Sequence, residues 1–450
     1  MMRFFMEYMP YYRRLLKLAA PLIVTQAGQM LVQLADNAMV GHYGTIELAA
    51  SSFANSIFLL IMVFGAGISV GITPLLGQSY GKDRLVRAAS VIKNSLFLSA
   101  IVITAIFILA WLLSYAMNNM GQETAVEAAA IPYYRLLSFS LVPMLIFMVF
   151  KQIGEGLGNT MYAMLATLAS NIINIGLNYL LIFGKAGFPE LGLLGAGYAS
   201  LLSRIIMAAL LIPLLLSSKK YAGVFALIRR VPFAKGRMLK IFYTGLPIAL
   251  QMLIEISLFA AGTIMMGWIG DVPLAAHQVA NGMIGFTFMI ANGIAMATTI
   301  RISWQWGNGN FREMQQAGKA SQQMVLAFMG LCAVLFITLA PALARLFSND
   351  PAVWEAAIPL LIIAGLFQIV DGLQVVSLGI LRGIADVKKP FWMAAFSYLV
   401  FGLPVSYLAA FVLDLGAEGI WLGFISSLSI AALLFGLRIR KMWQKPEFSA

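Results

Sequence analysis

The sequence predicts an all-α polytopic membrane protein whose twelve transmembrane helices fall into two related six-helix bundles. Three observations predict it. Of 450 residues, 61% are hydrophobic and 11% charged, and the mean hydropathy is +0.88, far from the make-up of a soluble domain. Apolar runs of the roughly 20 residues that a helix needs to cross a bilayer recur twelve times. The second half of the chain then repeats the pattern of the first.

In order, the runs are drawn at residues 18–41, 51–76, 94–117, 128–150, 161–184, 195–217, 243–268, 277–300, 323–344, 356–381, 390–413 and 419–437. The first follows charges and aromatics and has no small-residue cleavage pattern after it, so it reads as a retained helix and not a removed leader. Basic residues gather in every second connection. One set comprises Arg3, Arg13, Arg14 and Lys17, then Lys82, Arg84 and Arg87, then Lys219, Lys220, Arg229, Arg230, Lys235, Arg237 and Lys240, then Arg312 and Lys319, then Arg382, Lys388 and Lys389, and finally Arg438, Arg440 and Lys441. The alternate connections hold Glu47, Glu123, Glu190, Asp271, Asp350, Asp414 and Glu418, with Lys185 and Arg345 as their few cations. Because Lys and Arg accumulate on the cytoplasmic side, both termini are expected there.

A shift of 226 residues pairs Pro21 with Pro247, Gly41 with Gly267, Gly44 with Gly270, Asn55 with Asn281, Gly67 with Gly293 and Gly81 with Gly307. With small gaps the match continues through Pro132 and Pro359, Gly156 and Gly383, and Gly192/Gly195 with Gly416/Gly419. Six spans per unit make the repeat parallel, about an axis along the membrane normal, a plan common in transporters that rock two bundles around one site. The expected organisation is an N-lobe over 1–217, a basic linker over 218–241 and a C-lobe over 242–450.

Of 18 acidic residues, three lie deep in the drawn spans: Asp36, Glu255 and Asp371. Asp371 is the only charge among the 26 residues between Glu355 and Arg382, and Glu255 the only one among the 30 between Lys240 and Asp271. An ionised acid at that depth costs about 2.5–3.5 kcal/mol on insertion scales, so the default reading is functional; the bland alternative is a neutral acid pinning two helices. The repeat places Gly262, Gln29 and Met144 opposite Asp36, Glu255 and Asp371, so none recurs as a packing need would. Gln368, Asp371 and Gln374 share one helix face, as do Gln251 and Glu255. Asn171, Asn174 and Asn178 line another, able either to join Asp36 around a small hard cation or proton or to bond neighbouring helices. A poorly solvated carboxylate can exchange a proton, a sodium ion and an organic cation, which is enough to couple export of a cationic solute to inward H+ or Na+.

Other classes are disfavoured. The net charge of +12 is spread over separate connections, unlike a nucleic-acid face. A single Cys332 excludes intrachain disulfides and cysteine metal clusters. No His-Glu-x-x-His, Walker A pattern, intramembrane-protease Gly-x-Gly-Asp or acidic filter ring is present, so neither an enzyme nor a channel is expected, and no cofactor beyond the coupling ion. Arg135 and Arg204 are expected to snorkel or to pair with a carboxylate, His42 and His277 to sit at the outer interface, and Glu155, beside Lys151, to be a solvated charge.

The runs LADNAMVGHYG around Asp36, LIEISLFAAG around Glu255, LAAHQVA at 274–280 and FQIVDGLQVVSLGILRG around Asp371, with the twelve-helix repeat, resemble the multidrug and toxic compound extrusion (MATE) transporters, NorM-like branch, over essentially the whole chain. The resemblance implies two lobes in a V about a central cavity and efflux of organic cations against H+ or Na+; a bacterial inner-membrane location is expected, and a monomer, since the sequence shows no obvious partner surface. It implies that Asp36, Asn174 and Asn178 form an N-lobe cation site, with Glu255 and Asp371 as the C-lobe cation and cargo carboxylates. Gln251, Gln368, Gln374 and Phe367 are expected beside the cargo. Sodium would sit at either acid group. NorM-like members often carry Tyr where this chain has Phe367, and the lost hydroxyl could not ligate sodium, which leaves proton coupling or an N-lobe sodium site open beside a C-lobe sodium site. The alternative within the superfamily, a lipid-linked precursor flippase or an exporter of anionic or other small metabolites, calls for basic residues facing the cargo, and only the two arginines qualify.

Overall fold

The computed structural model describes residues 2–81 and 84–444, with side chains from residue 8 onward. Lys82 of the expected basic connection and the Arg3 side chain lie outside the described residues. Sixteen α-helices follow one another: α1 (Met2–Tyr43), α2 (Thr45–Val70), α3 (Ile72–Gly81), α4 (Leu85–Ala116), α5 (Thr124–Gly156), α6 (Met161–Ile182), α7 (Leu193–Leu216), α8 (Ala222–Ile228), α9 (Lys235–Ile269), α10 (Asp271–Asn308), α11 (Phe311–Thr338), α12 (Ala340–Phe347), α13 (Pro351–Gly383), α14 (Lys388–Ala395), α15 (Leu403–Tyr407) and α16 (Gly416–Trp443). Among the described residues, twelve helical spans are long and apolar enough to cross a membrane, as the hydropathy predicts.

The connections follow local chemistry. The Asp350 carboxylate accepts from the Ala352 N–H at 3.0 Å and Pro351 occupies the first turn, so α13 starts where both cap and ring favour it. Gly309 ends α10 with φ 70°, a left-handed cap that needs no Cβ. The ninth span was drawn through residue 344, but α11 stops at Thr338 and Pro341 opens the short α12, since proline fits a first turn and not a helix interior. The eleventh span runs through two π-helical segments, Phe396–Gly402 and Leu408–Val412, on either side of α15.

The chain forms two compact units, Val24–Ala249 and Met1–Ile23 with Leu250–Ala450. The sequence repeat divides at the basic linker, whereas the compact units divide inside α1 and α9, because the opening stretch of each of these helices packs on the other half's helices. Within the unit Val24–Ala249, a Cβ on Gly67 would lie 2.5 Å from the Ala249 Cα. Within the other unit, a Cβ on Gly293 would lie 2.5 Å from Ile23 Cγ1. These two close approaches are each other's counterparts under the 226-residue shift.

In the unit Val24–Ala249 the core centres on Phe58, Tyr134, Leu137, Leu141 and Leu145. The other unit buries an aromatic group in which Phe367 meets Phe259 at 6.2 Å and Trp421 at 5.9 Å between ring centroids. At two positions the structure differs from what the sequence leads one to expect. Glu155 is 1% and Lys151 3% exposed, paired at 3.8 Å, because α5 continues beyond its drawn end and packs against α3. His277 is fully buried, its Nε2 within 3.2 Å of Thr263 Oγ1 and 2.8 Å of Asn281 Nδ2, because α10 begins well before residue 277. His42 is exposed.

Candidate functional site

Each unit carries one acid cluster. In the unit Val24–Ala249, Asp36 sits on α1 facing the asparagine row of α6. The Asn178 amide donates to the Asp36 carboxylate and also to Asn174 Oδ1 at 3.2 Å, while Asn174 donates to Ser203 Oγ on α7 at 3.2 Å. Asn174 and Asn178 are buried on one face, as their four-residue spacing requires. Asn171 stands apart from this chain of bonds and lies against Gly28. Arg204 of α7 completes the cluster. Its guanidinium donates to Ser140, lies 4.8 Å from the Phe58 ring centroid and attracts the Asp36 carboxylate electrostatically. The arginine therefore acts on the carboxylate through its charge and bonds to Ser140, with no ion pair to Asp36 within 4.0 Å among the described residues. Arg135 lies instead over the Trp111 and Tyr115 rings at 5.7 and 5.5 Å.

In the second unit, Asp371 of α13 is 3% exposed, Gln368 and Gln374 on the same helix are fully buried, and Gln251 of α9, four residues before Glu255, is 2% exposed. Glu255 of α9 and Asp371 repel one another electrostatically. Among the described residues neither carboxylate makes a hydrogen bond or an ion pair within 4.0 Å. The wall around them is partly satisfied. Thr287 donates to Gln368 Oε1 at 2.9 Å and Gln374 Nε2 donates to the Tyr398 hydroxyl, whereas Gln251 Nε2, Gln368 Nε2 and Gln374 Oε1 have no protein partner. Buried polar atoms of that kind are costly unless another state or a bound species satisfies them. Phe367 is 1% exposed, its ring packed between those of Phe259 and Trp421.

Two members of this cluster were not singled out in the sequence. Arg382 was counted with the basic connection, yet its Nε is buried without a hydrogen-bond partner and its charge acts on Glu255. It lies eleven residues beyond Asp371, three full helical turns, and so on the same face of α13. Tyr398 is fully buried on the π-helical segment Phe396–Gly402, its hydroxyl within electrostatic reach of Glu255, Asp371 and Arg382. The only cue to Arg382 was its place at the end of the Asp371 face. A π turn breaks the 3.6-residue period, so no helical spacing could have aimed Tyr398 here.

Charge counting separates the clusters. Asp36 with Arg204 sums to zero when both are ionised. Glu255 and Asp371 with Arg382 sum to one negative charge when all three are ionised, which a low-dielectric interior cannot leave unbalanced. One proton or one monovalent cation neutralises it. Carboxylate and amide oxygens are the hard donors that sodium or a proton takes. Among the described residues no group of three or more His, Cys, Asp or Glu is arranged to hold a metal.

The MatE family profile matches residues 21–180 and 247–408, more than half of the chain. Solved structures share the fold. A MATE transporter in a bent conformation is 24% identical over 96% of this chain and 95% of that one, with TM-score 0.88. A MATE transporter from Vibrio cholerae is 18% identical over 98% and 99%, also with TM-score 0.88. A MOP superfamily transporter from Pyrococcus furiosus, whose binding pocket is described as reversed in polarity and suggestive of a different function, is 23% identical over 96% of both chains with TM-score 0.88.

Proposed function

This chain belongs to the MATE family of membrane transporters, and from that premise we propose that it exports organic cations in exchange for H+ or Na+, with Glu255 and Asp371 as the exchange site. It is a transporter and not an enzyme. The observation that carries the proposal is that two carboxylates, Glu255 and Asp371, share one cluster with a single guanidinium, Arg382, one negative charge in excess when all three are ionised. Proton, sodium ion and monovalent organic cation each satisfy that charge and exclude one another, so release of one on each side of the membrane drives uptake of the next. Tyr398 supplies a hydroxyl to this site where Phe367 has none. Gln251, Gln368 and Gln374 present amides to the bound species. In the other unit, Asn174 and Asn178 hold Asp36 oriented, and a sodium ion there would share the carboxylate with Arg204, which makes that cluster the weaker cation site. The reading extends to the NorM-like branch and to a monomer in a bacterial cytoplasmic membrane with both termini inside, an N-lobe over 1–217 and a C-lobe over 242–450 joined by the basic linker.

A second reading has a specific observation in its favour. Arg204 and Arg382 stand beside the acids, and an anionic solute or a lipid-linked precursor would find a guanidinium in either cluster. Ethidium efflux from proteoliposomes separates the two. Imposing a proton gradient or a sodium gradient separately, on wild type and on Asp371→Asn, should show gradient-driven efflux that the variant loses. Absence of dye transport under both gradients would transfer the proposal to anionic cargo.

A further inference from the structure

Away from both clusters, Arg84, Leu85, Val86, Arg87, Leu227 and Arg237 line an open cavity of about 680 Å³, all within the unit Val24–Ala249. The cavity is built by packing, not by chance proximity of a loose loop. Lys93 of α4 donates to the Val231 carbonyl at 2.8 Å, and Asn94 Oδ1 accepts from the Ala234 N–H at 2.9 Å. Phe97 and Phe233 meet edge to face at 5.4 Å, so the linker that carries α8 is docked along α4. That docking holds Leu227 and Arg237 opposite Arg84 and Arg87, which share one face of the chain at a three-residue spacing.

The lining is divided between charge and grease. Three guanidiniums converge, and among the described residues no acid pairs with any of them; Asp83 lies outside the described residues. Beside them Val86 is 61% and Leu85 36% exposed, at the end of a span where acyl chains meet headgroups. Further cations, Arg229, Arg230 and Lys235, lie exposed on the same linker. A soluble phosphate would use the guanidiniums and leave the apolar rim in water. A phospholipid uses both, since guanidiniums bind phosphate oxygens bidentately and basic pockets at helix ends receive anionic headgroups.

We propose that this cavity is a binding site for an anionic phospholipid, its phosphate held by Arg84, Arg87 and Arg237 and its acyl chains lying along Leu85 and Val86. The bound lipid clamps the linker to α4. Native mass spectrometry of the full-length protein in detergent, titrated with dioleoyl phosphatidylglycerol or dioleoyl phosphatidylcholine, tests it. Wild type should retain phosphatidylglycerol at least about tenfold more tightly than phosphatidylcholine, a difference of about 1.4 kcal/mol, and millimolar inorganic phosphate should not displace it. Arg84→Gln/Arg87→Gln/Arg237→Gln should abolish the preference, the matching triple Arg→Lys variant should keep part of it, and Val86→Asp should weaken it while leaving all three arginines in place. An unchanged preference in the Gln triple variant overturns the site. Displacement by inorganic phosphate, or an unaltered affinity in Val86→Asp, overturns the lipid assignment in favour of a soluble phosphate. Should the Gln triple variant fail to fold, Val86→Asp decides alone.

Discussion

The Gln374 side-chain amide donates to the Tyr398 hydroxyl, tying the helix that carries Asp371 to the π-helical segment of the eleventh span. Tyr398→Phe removes that acceptor and the hydroxyl that both acids feel, while leaving the ring's packing in place. Leaving the buried Gln374 amide unpaired costs about 1–3 kcal/mol, visible as a lower unfolding temperature. The transport effect is expected to exceed what stability explains, at least about tenfold in turnover, equivalent to about 1.4 kcal/mol on the barrier. Phe367→Tyr in that background should not restore it, because ring 367 points among Phe259 and Trp421. Recovery by Phe367→Tyr would show that any hydroxyl on the face suffices.

Arg382→Gln tests the charge count. With the guanidinium gone, Glu255 and Asp371 together would carry two negative charges on full ionisation where Arg382 balances one. The variant should bind a monovalent cationic dye more tightly than wild type, by roughly tenfold or about 1.4 kcal/mol, and release it more slowly, so that turnover falls as affinity rises. Equilibrium dye binding in detergent and single-turnover efflux measure the two sides. Weaker dye binding in Arg382→Gln would show that the arginine serves the cargo directly, as an anionic substrate would require.

The three deep acids were legible because a lone charge in a long apolar run is expensive, and a sequence displays that expense directly. Asn174 and Asn178 were legible for a related reason, since helical spacing alone put them on one face. Arg382, Glu155 and His277 were not, and the causes are physical. Each sits near a helix end that the hydropathy drew too short, so a buried charge or ring read as an interfacial one. Burial at a helix end depends on which neighbouring helix covers it, such as α3 over the end of α5, and hydropathy carries no information about neighbours. The twelve-span architecture needed no such knowledge.

The buried Lys151–Glu155 pair makes a stability prediction. Replacing either residue alone strands the other charge in the interior, a loss of about 3–5 kcal/mol when the partner of a buried ion is removed. Replacing both with apolar residues of similar size, Lys151→Met with Glu155→Leu, should recover most of it, because desolvating two ions offsets much of their attraction. Thermal unfolding of the two single variants and the double variant in detergent closes the cycle. Equal destabilisation by the double variant and either single one would mean that the pair contributes packing and not charge.

Gly67 and Gly293 are equivalent positions in the repeat, yet alanine should be tolerated unequally. At Gly67 the new Cβ meets the Ala249 Cα at 2.5 Å and Cβ at 2.9 Å, and a backbone atom cannot rotate away. At Gly293 the nearest atom is Ile23 Cγ1 at 2.5 Å, with the Ile23 nitrogen at 3.2 Å, so a side-chain change relieves most of the clash. Overpacking costs about 1–3 kcal/mol, with Gly67→Ala expected at the upper end and Gly293→Ala at the lower. Adding Ile23→Ala to Gly293→Ala should restore nearly all the lost stability beyond the cost of Ile23→Ala itself, whereas adding Ala249→Gly to Gly67→Ala should restore little, since the clash with the main chain at residue 249 persists. Matching rescue in both pairs would show that α9 shifts bodily to admit the methyl group, and that its opening turns are held to α2 less rigidly than the close approach at Gly67 implies.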